Sequence, residues 1–340
     1  MASRHPPTVF RLGRAVVSCV VTDERRPPVS GSGSLWRPST QGTTLGRRTL
    51  LQGGIGGLGI VAGAALLGAC SDVKNTTDDV DPGPAETLTP LFPRDIAYLA
   101  AGVPSRLVYT ITDAEGVPAL TIPEPFDFTV ELDGEPIGPA TVVAPHSDGV
   151  PRPYLPLDVT FPKPGLYDIN ATHGDVRLNS QVMVSDPSEV QSPLVGSVLP
   201  PASTPTLTTS FEVDPICTLV PTCPFHEHDL TTVLGTGQPV VVLLASPAYC
   251  RTSACGPILE ILIEEAAALP DNVIVIHSEV YKNPKAVKDL NDAALAPLPE
   301  VYKMGFEPSL FVADATNVIV ARGDIVVDRG EMAQMLALAK

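Results

Sequence analysis

Five apolar residues in a row, Val240 to Leu244, interrupt an otherwise mixed sequence without any polar alternation. A strand with only one buried face alternates, so this run predicts a strand covered on both faces, in the interior of a sheet. Cys250 and Cys255 follow at once, and then Pro257 leads Ile258, Leu259, Leu262, Ile263 and Ala266 at helical spacing. Strand, cysteine pair, helix is an order with chemical meaning. The unpaired N–H groups at a helix start favour the thiolate, and the thiolate is the form that attacks a disulfide. The spacing also sets a limit. Residues five apart in a continuous helix rise about 7.5 Å, beyond the roughly 4.4–6.8 Å Cα separation a disulfide tolerates. Either both cysteines lie in a loop and the helix begins at Pro257, a favoured first residue, or the bond forms only when the helix start unwinds.

From about Ser203 onward the chain resembles the thioredoxin-like superfamily. The residues that carry the resemblance are the cysteine stretch, the following Gly256 to Leu262, a second apolar strand from Val273 to Tyr281, and Glu307 to Val312. The resemblance implies an α/β thioredoxin-like domain in which Cys250 attacks and Cys255 resolves. It further implies that Pro308, as a cis-proline before a strand, aligns an extended partner through free backbone groups. His277 and Glu279, at the end of the second strand, are candidates for proton transfer. The usual motif has two residues between its cysteines and this one has four. Some peroxiredoxins share that spacing, so a peroxidase is the alternative, although Leu243 and Pro247 stand where that family carries a Pro and a Thr or Ser. Copper-handling relatives on the same fold keep a metal-chaperone reading open. Exchange chemistry itself implies no cofactor.

Upstream, Cys217, Cys223, His226 and His228 fall within a dozen residues. A structural disulfide between Cys217 and Cys223 is the expected arrangement in an oxidising compartment. A zinc or copper site made of all four residues, or a disulfide relay to Cys250 and Cys255, are the alternatives.

The 340 residues have room for two domains and a leader. Their net charge of −16 argues against nucleic acid as a partner. Residues 1–69 read as an unstructured leader ending in an export signal. Arg47 and Arg48 precede a Gly- and Ala-rich apolar run, resembling a twin-arginine signal, and Leu67 to Cys70 resembles a lipobox. Cys70 is therefore the expected lipidation site. A chain lipidated there is expected to be membrane-anchored and extracytoplasmic, and the thioredoxin-like resemblance implies protein thiols or disulfides as its partners.

Residues 70–90 read as an acidic, proline-bearing tether. Residues 91–186 show short strands at 106–112, 126–132, 155–161, 167–172 and 176–184 between turn signals, which predicts an all-β immunoglobulin-like sandwich acting as spacer or interaction surface. His146 and His173 look like isolated surface residues. Residues 187–205 read as a linker, and 206–340 as the thioredoxin-like domain, closed by a hairpin and a helix at 331–339. Ile325 to Val327 has no obvious place in that order.

Overall fold

The structure is a computed structural model that describes residues 86–340. Arg47, Arg48, Cys70, the leader and the tether up to residue 85 lie outside the described residues.

Nine strands come first: β1 (Thr87–Pro90), β2 (Leu99–Ala100), β3 (Pro104–Thr112), β4 (Phe126–Leu132), β5 (Glu135–Pro136), β6 (Thr141–Val143), β7 (Leu155–Thr160), β8 (Gly165–His173) and β9 (Val176–Ser185). They form an all-β sandwich. One sheet has the order β1-β3-β7; the other runs β2-β9-β8-β4-β5, with β6 also paired to β4. The last residues of the expected tether therefore belong to the fold. Thr87 to Pro90 pair with Tyr109 to Thr112, which buries Leu88.

The burial patterns show how the layers stack. Along β8, Tyr167, Ile169 and Ala171 are buried while their neighbours are more open, as expected of a sheet with one wet face. Strand β3 is instead buried without a break from Leu107 to Thr112. Its odd-numbered residues Leu107, Tyr109 and Ile111 fill the sandwich core. Its neighbour Val108, on the opposite face, joins Tyr154 in the core of the C-terminal half. The β1-β3-β7 sheet is thus a middle layer covered on both sides.

The C-terminal half has strands β10 (Val240–Leu244), β11 (Ile274–Ser278), β12 (Ser309–Ala313) and β13 (Ile319–Asp324), and helices α1 (Leu230–Val233), α2 (Cys255–Ala266), α3 (Pro297–Tyr302) and α4 (Arg329–Leu336). The sheet order is β11-β10-β12-β13; β10 is parallel to β11 and antiparallel to β12. Every residue of β10 is buried. Val241 and Leu243 pack with α2 and α4, while Val240, Val242 and Leu244 pack with Leu230, Leu298 and Tyr302 of α1 and α3. Helices on both faces explain why the strand carries no polar residue. Among the described residues no helix is long and apolar enough to cross a membrane.

Two expectations need correction, and one unassigned segment finds its place. Residues 187–205 do not form an open linker: Val190, Leu199 and Ala202 are buried, and Gly196 and Leu199 donate backbone hydrogen bonds to Ile319 and Asn317. Lys282 to Lys303, whose sequence reads as a polar helical stretch and then a loop, forms only two single turns, Pro284–Ala286 and Leu290–Asp292, before α3; Pro284 and Pro297 each open their element, where a missing N–H is tolerated. Ile325 to Val327, which had no place, is buried against the sandwich, and the Val326 carbonyl accepts a hydrogen bond from Arg106.

The two halves meet closely. At Gly149, in a sandwich loop with φ of +79°, an added Cβ would lie 2.9 Å from Ile261 Cδ1 on α2. Gly149→Ala should therefore lower stability by about 1–2 kcal/mol through the left-handed backbone alone. Urea denaturation should show a lower midpoint at unchanged slope.

Candidate functional site

Strand β10, in the interior of the sheet, delivers the chain to the cysteine loop at its C-terminal end. Cys250 and Cys255 form a disulfide with Cα atoms 6.0 Å apart. Neither arrangement expected from the spacing holds. Helix α2 starts at Cys255, two residues before Pro257, and only Cys250 lies in the loop. One cysteine on the helix and one off it removes the 7.5 Å conflict without unwinding. The residue before the helix, Ala254, makes no side-chain cap, so no capping side chain occupies the first N–H groups of α2, the helix that Cys255 opens.

The two sulfurs differ in access. Cys250 is half-buried and Cys255 is 0 % exposed. The Thr252 hydroxyl oxygen lies 3.3 Å from Cys250 Sγ, placed to donate to it. A carboxylate oxygen of Glu307 lies within 4.8 Å of both sulfurs. Glu307 is itself buried, with Oε2 accepting from the Ser246 N–H at 2.5 Å. Its Oε1 is buried with no hydrogen-bond partner among the described residues. Burial is the main cause that pushes the Glu307 carboxyl from an ordinary 4.5 up to about 7, with the charge of Glu279 adding to it against the Ser246 hydrogen bond.

The Glu307–Pro308 peptide is cis. Pro308 is buried, and its carbonyl already accepts from the Ile325 N–H at 2.7 Å. That oxygen is engaged within the chain, contrary to the expectation that Pro308 offers free backbone groups to a partner. A cleft of about 400 Å³ opens beside the loop, with Arg251, Thr252 and Glu307 on one side and Phe92, Ile96 and Phe306 among its apolar walls. Phe92 and Ile96 belong to the sandwich half, which therefore lines the cleft instead of serving as a distant spacer.

Neither His277 nor Glu279 joins Glu307 in the group around the two disulfide sulfurs. Glu279 accepts from the Thr218 N–H at 2.6 Å and from the Thr218 hydroxyl at 3.2 Å. His277 is 0 % exposed and turns its Nδ1 to Cys223 Sγ at 3.4 Å and His226 Nε2 at 3.3 Å. Cys217 and Cys223 are free thiols, not the expected disulfide. With His226 and His277 they bring one donor atom each to within 4.8 Å of one another, all four residues being buried. His228, one of the four residues grouped by sequence proximity, is exposed and takes no part.

Within the cluster the Cys217 thiol is pulled well below its ordinary range, first by a hydrogen bond from Cys223 and then by the two histidines. The Cys223 thiol is pushed up, because it supplies that hydrogen bond. Burial would lower the His277 value, but hydrogen bonding to Cys217 and the charge of Glu279 outweigh it and raise it.

Of the other histidines, His146 is less isolated than its sequence context implies, with Nδ1 3.2 Å from Asp328 Oδ1. His173 Nδ1 lies 2.8 Å from the Pro125 carbonyl at the surface.

No family model matches this chain, and no curated protein does. Among solved structures, a tandem of titin immunoglobulin domains is similar at 14% identity over 30% of this chain and 48% of that one, with a TM-score of 0.19. This chain thus spans about half the length of that tandem. A titin–obscurin-like 1 immunoglobulin complex gives 17% identity over 30% and 91% of the two chains, with a TM-score of 0.18. Domains 5–6 of the S-layer protein SbsC give 13% identity over 72% and 99%, with a TM-score of 0.22.

Proposed function

We propose that this protein is a thiol–disulfide oxidoreductase. In this reading its C-terminal half is a thioredoxin-like domain, its sandwich is immunoglobulin-like and fixed as one wall of the cleft, and a lipid on Cys70 holds it outside the cytoplasm behind the Arg47–Arg48 signal. The observation that carries the reading is the asymmetric disulfide: a reachable Cys250 bonded to a sealed Cys255 at a helix start, with the Glu307 carboxyl beside both sulfurs.

The chemistry follows from that asymmetry. A substrate thiolate attacks Cys250 Sγ, the more accessible sulfur, and forms a mixed disulfide while the Cys250–Cys255 bond breaks. Cys255 leaves with the electron pair and takes a proton from the Glu307 carboxyl. A second substrate thiolate then attacks the substrate sulfur of the mixed disulfide and releases Cys250 as a thiolate. Two electrons pass from a substrate dithiol to the chain, and the same steps reversed reduce a substrate disulfide. The relative potentials of the two couples set the direction. The α2 start and the Thr252 hydroxyl both favour sulfur in its anionic form.

Trapping tests the reading. The full chain with Cys255→Ser, mixed with a small-molecule disulfide, should accumulate a mixed disulfide at Cys250 by mass spectrometry. Cys250→Ser should accumulate none and should lose dithiothreitol-dependent insulin reduction. Undiminished insulin reduction by Cys250→Ser would sink the proposal, and consumption of hydrogen peroxide in its place would transfer the site to the peroxidase class.

A further inference from the structure

We infer that Cys217, Cys223, His226 and His277 form a tetrahedral zinc(II) site that pins the long irregular segment before α1 to the central sheet. The inference stands independently of the exchange reading, because it uses neither Cys250 nor Cys255.

The distances among three of the donors match a metal's demands, and Cys217 Sγ lies within 4.8 Å of all three. Zinc bonded to nitrogen at about 2.05 Å and to sulfur at about 2.3 Å in tetrahedral geometry sets nitrogen–nitrogen contacts near 3.3 Å and sulfur–nitrogen contacts of about 3.6 Å. The structure has His226 Nε2 to His277 Nδ1 at 3.3 Å, Cys223 Sγ to His226 Nε2 at 3.3 Å and Cys223 Sγ to His277 Nδ1 at 3.4 Å.

The outer hydrogen bonds decide which ring nitrogens face inward as lone pairs. His277 Nε2 lies 2.8 Å from the Ala245 carbonyl, and His226 Nδ1 lies 3.3 Å from the Pro205 carbonyl. A carbonyl oxygen only accepts, so each of these nitrogens carries the hydrogen. Outward donation to a carbonyl is how metal-binding histidines are held in place. In the neutral rings the inward nitrogens are then both acceptors, 3.3 Å apart, and cannot bond each other. A shared proton relieves one such pair, whereas a cation serves all four donors together. Two thiolates and one zinc(II) are also neutral in sum, which suits a cluster whose residues are at most 6 % exposed.

The surrounding chain has need of such a tie. From Val190 to Asp229 there is no helix or strand, and a segment of that length inside a compact fold needs an anchor. Three of the four residues lie in it and the fourth, His277, is on β11. The His277 N–H donates to the Phe225 carbonyl at 3.0 Å, which registers the loop against the strand beside the cluster. A site closed by four protein ligands is of the structural kind.

Cobalt(II) reads the ligand set directly. The reduced full chain, titrated anaerobically with cobalt(II), should take up one equivalent with the intense visible bands of tetrahedral cobalt and near-ultraviolet thiolate charge transfer, and zinc(II) should abolish both. Cys217→Ser and His277→Gln should lose the signature, while Cys250→Ser and the exposed His228→Ala should keep it. Should a ligand variant fail to fold, the wild-type chain still answers: a mercurial thiol reagent should release one equivalent of zinc as Cys217 and Cys223 are blocked. Octahedral cobalt spectra, loss of uptake in Cys250→Ser but not in Cys217→Ser, preferential retention of copper(I), or a metal-free Cys217–Cys223 disulfide in the isolated protein would each overturn the assignment.

Discussion

Arg106→Ala should destabilise the folded chain by about 3–5 kcal/mol, the cost of leaving a buried carboxylate without its partner. Arg106 stands on β3, on the face turned to the C-terminal half, and its side chain is 7% exposed. Its Nε and Nη2 donate to the two oxygens of Glu331 at 2.7 and 2.6 Å, and Nη2 also donates to the Val326 carbonyl at 2.7 Å. The Tyr154 hydroxyl donates to Glu331 as well and accepts from the Asp328 N–H at 2.8 Å.

This arrangement alters a local helix signal. Asp328 and Glu331 stand at the two ends of a capping box at the start of α4, and Asp328 Oδ1 does accept from the Glu331 N–H at 2.9 Å. The reciprocal half is missing because Glu331 turns to Arg106, and Tyr154 accepts the N–H of Asp328 in its place. Removing the guanidinium therefore leaves the Glu331 carboxylate with only the Tyr154 hydroxyl as hydrogen-bond donor, and the Val326 carbonyl with none, in the layer between the two halves. Arg106→Lys should recover little of the loss, since one ammonium cannot reproduce the forked contact. Arg106→Met with Glu331→Leu should recover most of it, because an apolar pair needs no partner charge. Chemical denaturation followed by both fluorescence and circular dichroism should show one coincident transition in the wild type, as Val108 and Tyr154 share a core with β10 and α2. A loss below about 1 kcal/mol for Arg106→Ala would mean that the ion pair is not sealed from water.

Much of the architecture was legible because its signals are local. Val240 to Leu244 announced a doubly covered strand, and the segments read as strands in the middle of the chain coincide with β3, β4, β7, β8 and β9. What could not be read locally was how the halves dock. The run from Leu107 to Thr112 mixes Thr and Tyr with aliphatic residues, and nothing in that pattern distinguishes a wet second face from one covered by another layer. The linker and spacer readings failed for the same reason.

The site was legible to a similar degree. Cys250 and Cys255 are conspicuous in sequence, but Glu307 is an acid before a proline, a pattern common in loops, and only its burial gives it chemistry. The cysteine–histidine group was seen with one wrong member. His228 is two residues from His226 in sequence, yet its side chain is exposed; His277, far away in sequence, arrives at the end of β11. Sequence proximity favoured the first, and strand pairing selects the second. The apolar run Val273 to Ile276 leading directly into His277 was the available signal, since it places an imidazole in a buried strand where it needs partners.

Glu307→Gln should move stability and exchange in opposite directions. In the wild type the carboxyl has a folded value of about 7 against an ordinary 4.5. Below pH 4.5 it is protonated whether the chain is folded or not, and its ionisation costs the fold nothing. As pH rises through 7 the folded chain must hold a buried carboxylate that the unfolded chain leaves in water, and the difference approaches about 3 kcal/mol. Glutamine keeps an oxygen for the Ser246 N–H and never ionises. The variant should therefore match the wild type within about 1 kcal/mol at pH 4 and exceed it by about 3 kcal/mol at pH 8, read from urea midpoints at the two pH values. Exchange should respond the other way. Cys255 sulfur leaves buried, and without an adjacent acid it leaves as an unprotonated thiolate, so reduction of the disulfide by a dithiol should slow about a hundredfold. The wild-type rate per substrate thiolate should also fall above pH 7 as Glu307 ionises, and the variant should lack that limb. A purely structural Glu307 would reproduce the stability change and leave both the rate and its pH limb untouched, so the loss of that limb is what makes the carboxyl a proton donor to Cys255.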